Sequence, residues 1–325
     1  MDSTTLRFDE RYPLVWRTPS SLQIGIDRPL VVLPEVSQAE ERLLHALQRG
    51  VSPEGLRMIG QRFRTTGKQL AALLAAVSPA LDARPAPHDR AAGPVLPTPS
   101  SATSLGTATA AIRSLLRNMA LSEHVVVDAA DDQPAPATAP ALTVLVAAWG
   151  VSPVRAARWM SGDRAHLAVV FGDRDVRIGP LVRPGLGPCL HCIDRWHIDV
   201  DPTWPAIAGQ LLGRSAATTD PLTIATVSSL VGRLCAEFIM GDDSGASIAL
   251  RPGRTLHLDS FTGVVTESEA EVHPECACQA LPESAMVVAL GSDWHPSGPT
   301  TTPEDGAPAS PPHREVVVLH RPDRA

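Results

Sequence analysis

His124-Val125-Val126-Val127-Asp128, then Leu142-Thr143-Val144-Leu145-Val146-Ala147, then Ala165-His166-Leu167-Ala168-Val169-Val170-Phe171 are three short runs of nearly unbroken apolar character. A strand that is apolar on both faces is covered on both faces, which is the habit of a parallel sheet with helices on either side. Pro153–Met160 lies between the second and third runs and has the length of a crossover helix. Thr107–Met119 precedes the first, with Ala111, Ile112, Leu115 and Leu116 grouped on one side. This alternation predicts an α/β domain built on an open, mostly parallel sheet. Beyond it, Leu222–Met240 reads as a long apolar helix, and strand-like stretches follow at Ser247–Leu250, Thr255–Leu258 and Gly263–Thr266.

Toward the N-terminus the pattern changes. Leu14-Val15-Trp16, Leu22–Ile26 and Pro29–Leu33 are strand-like and separated by Thr18-Pro19-Ser20 and Asp27-Arg28-Pro29. Ser37-Gln38-Ala39-Glu40 spells a capping box before Leu43, Leu44 and Leu47, and Gly50 ends that helix. Ser52-Pro53-Glu54 opens a second helix with Leu56 and Ile59 inward. Thr65 or Thr66 opens a third carrying Leu70, Leu73, Leu74 and Val77. Strands followed by three short helices predict a small winged-helix-like α+β module. Prolines crowd residues 78–100 and Pro296–Pro312, a linker composition. The expected organisation is a module at 1–80, a linker at 81–100, the α/β domain at 101–290 and a Pro-rich tail at 291–325.

Composition narrows the function. The 325 residues carry a net charge of −7, which argues against a main task of gripping nucleic acid. Lys68 is the one lysine among 28 basic residues, an imbalance that reflects base composition. No apolar run of about 18 residues suggests a membrane span, and Met1–Arg7 lacks the basic-then-apolar order of a secretion signal. Five cysteines without that signal predict a reducing, cytoplasmic setting.

Four of the five form two close pairs, Cys189-Leu190-His191-Cys192 and Cys276-Ala277-Cys278, with 84 positions between Cys192 and Cys276. Two chelating pairs on separate loops are the usual way to assemble a closed tetrahedral thiolate site, which predicts a structural zinc without metal catalysis. Four small buried hydrophobes, or a redox dithiol at Cys189 and Cys192, are the competing readings. His191, His197 and His273 are near enough in sequence to substitute as ligands, but each is expected instead to sit behind the ligands or in solvent. Cys235 reads as core. Arg155, Arg158 and Arg164 read as a solvated basic face. Trp204 is expected to pack over the cysteine loop, and Asp194 and Asp201 to cap local turns.

The stretch Ile178-Gly179-Pro180-Leu181-Val182-Arg183-Pro184-Gly185, running into Cys189–Cys192 and Asp201-Pro202-Thr203-Trp204-Pro205, resembles the actinobacterial ThiF-like proteins, as does His273-Pro274-Glu275-Cys276-Ala277-Cys278. These are also labelled bacteriocin-cyclodehydratase or azole-precursor leader-peptide-binding proteins. The resemblance covers residues ~100–280 in order of elements, its specific part being the cysteine segments. It implies a Rossmann-related, ubiquitin-activating-enzyme-like fold with zinc on Cys189, Cys192, Cys276 and Cys278. It also implies an N-terminal module that binds a leader peptide, a partner enzyme of the YcaO class that performs the heterocyclisation, and pairing of two copies through the α/β domain.

Active members of the wider family bind ATP through Gly-x-Gly-x-x-Gly. Here the corresponding residues are Ser101-Ala102-Thr103-Ser104-Leu105-Gly106, which keep only the last glycine. Thr103, Ser104 and Asp128 are the remaining candidates for nucleotide contact, and the loss of the loop argues against ATP. Asp131 and Asp132 run into Pro134 and Pro136 and read as a solvated loop. The expectation is therefore a non-catalytic scaffold that binds a peptide and presents it to a modifying enzyme. An adenylyltransferase with an unusual phosphate loop, or a winged-helix DNA regulator using Lys68, Gln69, Arg57, Arg62 and Arg64, are the alternatives.

Overall fold

Toward the N-terminus, β1 (Leu14–Trp16), β2 (Leu22–Ile24) and β3 (Val31–Leu33) form an antiparallel sheet in that order, followed by α1 (Gln38–Arg49), α2 (Pro53–Arg62) and α3 (Gly67–Val77), all within the same compact unit as the rest of the described residues. This computed structural model describes residues 5–82, 101–129, 140–241 and 251–279, the side chains of 101–104 excepted. All three helix starts are where the capping residues place them. The Ser37 hydroxyl accepts from the Glu40 N–H while Glu40 reaches back to the Ser37 N–H, and Thr66 and Gln69 repeat that exchange. Ser52 caps α2 ahead of Pro53. Gly50 adopts φ +81°, a left-handed conformation that releases the chain from α1. Leu22, Ile24, Leu43, Leu44, Leu47, Leu56, Leu73 and Val77 close a core that belongs to this module alone. Ser37→Ala is expected to lower stability by about 1 kcal/mol, readable by urea denaturation, because it leaves α1 donors without their acceptor.

The larger domain holds a six-stranded sheet in the order β4 (Val125–Asp128), β5 (Leu142–Ala148), β6 (His166–Phe171), β7 (Asp175–Val182), β8 (Arg254–Asp259), β9 (Val265–Glu269). The pairs β4–β5 and β5–β6 are parallel, as the apolar runs predict. The other three pairs are antiparallel, so the expected mostly parallel sheet is a mixed one. The reason lies at Gly172-Asp173-Arg174, where Gly172 N–H donates to the Asp175 carbonyl at 3.1 Å. Three residues suffice for a hairpin, whereas a parallel return needs a crossover of about a dozen or more.

Period-2 alternation sends β5 residues to two cores. Val144 and Val146 face α4 (Ser101–Asn118) and α8 (Pro221–Met240), while Leu145 faces α5 (Pro153–Ser161) and the start of α6 (Leu190–Val200). A short α7 (Trp204–Leu211) completes the set. α8 is long and apolar enough to cross a membrane, contrary to the expectation that no such stretch exists. Val227, Val231 and Cys235 are nonetheless buried against α4 and the sheet, so this helix spends its apolar face inside the domain.

The strand expected at Ser247–Leu250, most of the linker, Asp131, Asp132 and the Pro-rich tail lie outside the described residues.

Candidate metal centre and neighbouring surfaces

The four paired cysteines converge. Cys189 Sγ lies 3.8 Å from Cys192 Sγ and 3.7 Å from Cys276 Sγ, and Cys192 Sγ lies 3.5 Å from Cys278 Sγ. All four sulfurs fall within 4.8 Å of one another. A tetrahedron with metal–sulfur bonds of about 2.3 Å has edges of about 3.8 Å, so the four cysteines could hold a metal ion and their spacing is compatible with zinc. Among the described residues no other group of His, Cys, Asp or Glu is gathered in this way.

Cys189 is the residue before α6 and Cys192 sits in its first turn, so the Cys-x-x-Cys pair belongs to a helix start and not to a free turn. The second pair is carried by a single 3-10 turn, Ala277–Gln279. Three contacts join its approach to α6. His273 Nε2 meets Asp199 Oδ2 at 3.0 Å, Trp196 Nε1 donates to the Glu271 carbonyl at 2.9 Å, and Arg195 pairs with Glu275. His273 is buried edge-on against Trp196 and takes the Glu275 N–H on Nδ1, so it orients the loop and does not supply a ligand.

Burial pushes the Cys189 thiol up to about 11, and Cys278 is raised by the same cause. At Cys192 burial also works upward, but N–H groups of His273 and Cys189 point at its sulfur and bring it below its ordinary value. A divalent cation among these sulfurs would favour the thiolate form of all four. Cys235 stands apart in α8, pushed up to about 12 by burial alone, and is a core residue.

Thr103, Ser104 and Gly106 lie within α4 and not on a loop, and an added Cβ at Gly106 would meet nothing within 4 Å. Asp128 does end β4, yet it is 2% exposed. The Trp159 indole N–H donates to its Oδ2 at 3.0 Å, and Arg155 lies 3.5 Å from its Oδ1. Arg155 also donates to the carbonyls of Asp128 and Val146. Asp128 is thereby an anchor for α5. The expectation of a solvated Arg155–Arg158–Arg164 face is corrected by the same contacts, since Arg155 is buried as the cation of this pair while Arg158 and Arg164 are half-buried.

A cavity of about 670 Å³ opens at the carboxyl ends of β4 and β5, the place where open α/β sheets commonly bind ligands. Trp149, Gly150, Asp194, Trp204 and Leu212 are among the residues that line it. Trp149 holds φ +65°, a left-handed conformation costly for a bulky residue. Its N–H donates to the Phe171 carbonyl, its own carbonyl accepts from Arg177, and its indole donates to the Arg214 carbonyl. Burial raises the Asp194 carboxyl, opposed by His191 and Arg177. His197 packs against Trp204 and is pushed down to about 4 by burial and by Arg177 and His257. At the mouth, α5 begins with Pro153, which has no N–H, and Ser152 occupies the Arg155 N–H, so this helix start offers little to a phosphate. Asp201 accepts from Thr203 and Arg17, the local capping role expected for it.

The small sheet has two edges with different fates. Along β1, the Trp16 N–H donates to Gln210 Oε1 at 2.9 Å, Gln210 Nε2 donates to the Trp16 carbonyl at 2.7 Å, and Arg214 donates to the Leu14 carbonyl at 3.1 Å. Side chains of α7 and the loop after it thus occupy that edge. Among the described residues no strand pairs with the outer side of β3, where Val32 is 47% exposed.

Sequence reasoning missed β7, α6 and α7, and with them Arg195, Trp196 and Asp199, which brace the cysteine loop, whereas it did place His273 beside the cysteines in a role other than ligand. Pro180 inside β7 hid the strand, and Trp196 carried no spacing signal because it meets His273 only through folding.

The sequence matches no protein-family model and no curated protein. Solved structures similar to the chain include the heterocyclase TruD, at 15% identity over 91% of this chain and 46% of that one, TM-score 0.35. The Escherichia coli microcin synthetase McbBCD complex matches at 11% identity over 84% of this chain and 100% of that one, TM-score 0.41. E. coli MccB crystallised with succinimide matches at 11% identity over 84% and 99%, TM-score 0.37. The chain spans about half the length of TruD, and the chain is similar to components of heterocyclase and microcin-synthetase systems.

Proposed function

We propose that this chain is a non-catalytic scaffold that takes a peptide as an added strand along β3 and presents it to a separate modifying enzyme, in the manner of a leader-peptide-binding component beside a YcaO-class cyclodehydratase. The observation that carries this reading is the asymmetry of the small sheet. One edge is closed by Gln210 and Arg214, and the other, β3, pairs with no further strand among the described residues and carries an exposed valine. Main-chain pairing at such an edge supplies affinity for an extended peptide, and flanking side chains supply selectivity.

In this reading Cys189, Cys192, Cys276 and Cys278 hold a structural zinc that ties the terminal loop to α6. In the α/β domain Asp128 and Arg155 are committed to each other and to α5.

Selection of short displayed peptides on the full-length protein tests the proposal. Peptides with alternating apolar residues should be enriched, and Val32→Glu should weaken the best of them at least about tenfold, because like the edge charges of natural sheets it disfavours strand addition. Enriched peptides that bind Val32→Glu as tightly as the native protein would remove β3 from the account.

A further inference from the structure

The turn that leads into β3 is fastened to the larger domain by two carboxylates that serve each other's backbone. Asp173, in the β6–β7 hairpin, accepts from the Ile26 N–H at 2.6 Å and from the Asp27 N–H at 3.1 Å. Asp27, in the β2–β3 turn, accepts from the Arg174 and Asp175 N–H groups, both at 2.9 Å on the same Oδ2. The fit leaves no room for a side chain at Gly172, where an added Cβ would stand 2.1 Å from the Asp27 carboxylate. Asp173 is 2% exposed, and the reciprocal backbone contacts bring the Asp27 carboxylate up beside its own. Two carboxylates placed together away from water favour a state in which one of them keeps its proton.

The surrounding charges do not supply a substitute. From the turn, Arg28 reaches Asp175 and Asp259, at 3.4 and 3.5 Å. From the hairpin, Arg174 is bound to Asp259 at 2.9 Å and lies over the Phe261 ring, which Arg11 also covers. From β8, His257 is held below its ordinary value by burial and by Arg177. The segment before α8 contributes no charge to the contact; its Ala217 N–H and Thr218 hydroxyl both donate to the Gly172 carbonyl. Both arginines beside the pair are thus engaged with Asp175 and Asp259.

We propose that Asp27 and Asp173 form a proton-shared latch that fastens the Gly25–Pro29 turn, and with it the start of β3, to the β6–β7 hairpin while the proton is held and loosens it when the proton leaves. Burial first, and then the Asp27 charge, raises Asp173 from 3.8 to about 7, with the Ile26 and Asp27 N–H groups opposing. An acid whose folded value lies above its unfolded one binds its proton more tightly when folded, so the latch is fully closed below about pH 4 and weakens as pH rises toward and through about 7.

Hydrogen exchange of the full chain, read by mass spectrometry over residues 25–33 and 172–176, tests this without any peptide, so its failure is separate from failure of the peptide reading. After correction for intrinsic rates, protection in both segments should fall by up to about tenfold between about pH 6 and about pH 8. In Asp27→Asn the amide Nδ2 donates to Asp173 where the proton sits, and Oδ1 still accepts from Arg174 and Asp175. Protection should then change less between the two pH values than in the native protein, since burial still acts on Asp173 but the Asp27 charge is gone. Asp173→Asn loses one acceptor and should be less protected throughout, without pH dependence. Native protection that does not change with pH, or an equal fall in Asp27→Asn, would overturn the latch.

Discussion

Chelation of bound metal, or replacement of Cys276 by serine, is expected to produce a large loss of stability. Folding energy from a structural zinc in small domains reaches roughly 10–16 kcal/mol. One lost thiolate of four should therefore cost several kcal/mol in thermal or urea unfolding. The cause is local. Residues 270–279 are held to α6 by the cysteines and otherwise by three partly exposed contacts, His273 with Asp199, Trp196 with the Glu271 carbonyl and Arg195 with Glu275. Elemental analysis should find about one zinc per chain, lost together with stability in Cys276→Ser and retained in Cys235→Ser, whose sulfur lies in α8 away from the cluster. A chain that carries no metal and unfolds identically with and without chelator would contradict the zinc assignment.

Asp128→Ala should be the second most damaging single change proposed. Removing one member of a buried, hydrogen-bonded ion pair leaves the other charge in an apolar setting, at about 3–5 kcal/mol. Here the remaining charge is Arg155, 4% exposed, which keeps the Asp128 and Val146 carbonyls but loses its carboxylate, and the Trp159 indole loses its acceptor as well. Asp128→Asn keeps an oxygen for Trp159 and should fall between the native protein and Asp128→Ala in urea unfolding. A ribose-binding acid would behave differently, since Asp128→Asn would then change magnesium-ATP affinity measured by calorimetry with little change in stability.

What the sequence made legible was local. Ser37 with Glu40, Ser52 with Pro53 and Thr66 with Gln69 mark helix starts within four residues, and the runs at β4, β5 and β6 are apolar on both faces because both faces are covered. The cysteine spacing exposed the cluster because ligand chemistry needs pairs. The sheet's antiparallel half was hidden by Gly179-Pro180 inside β7 and by the short turn at Gly172–Arg174, which resembles any loop until its partner strand is known. Arg155 looked solvated because its partner lies 27 positions earlier. Asp27 and Asp173 are separated by 146 positions, so nothing short of the folded chain relates them.

The measurement that bears most directly on the scaffold account is hydrogen exchange of the metal-loaded, full-length protein with and without a peptide selected against it. The account predicts new protection concentrated in Val31–Leu33, with the cavity beside Trp149 and Asp194 unchanged. Protection confined to that cavity, with β3 exchanging as in the free protein, would contradict it.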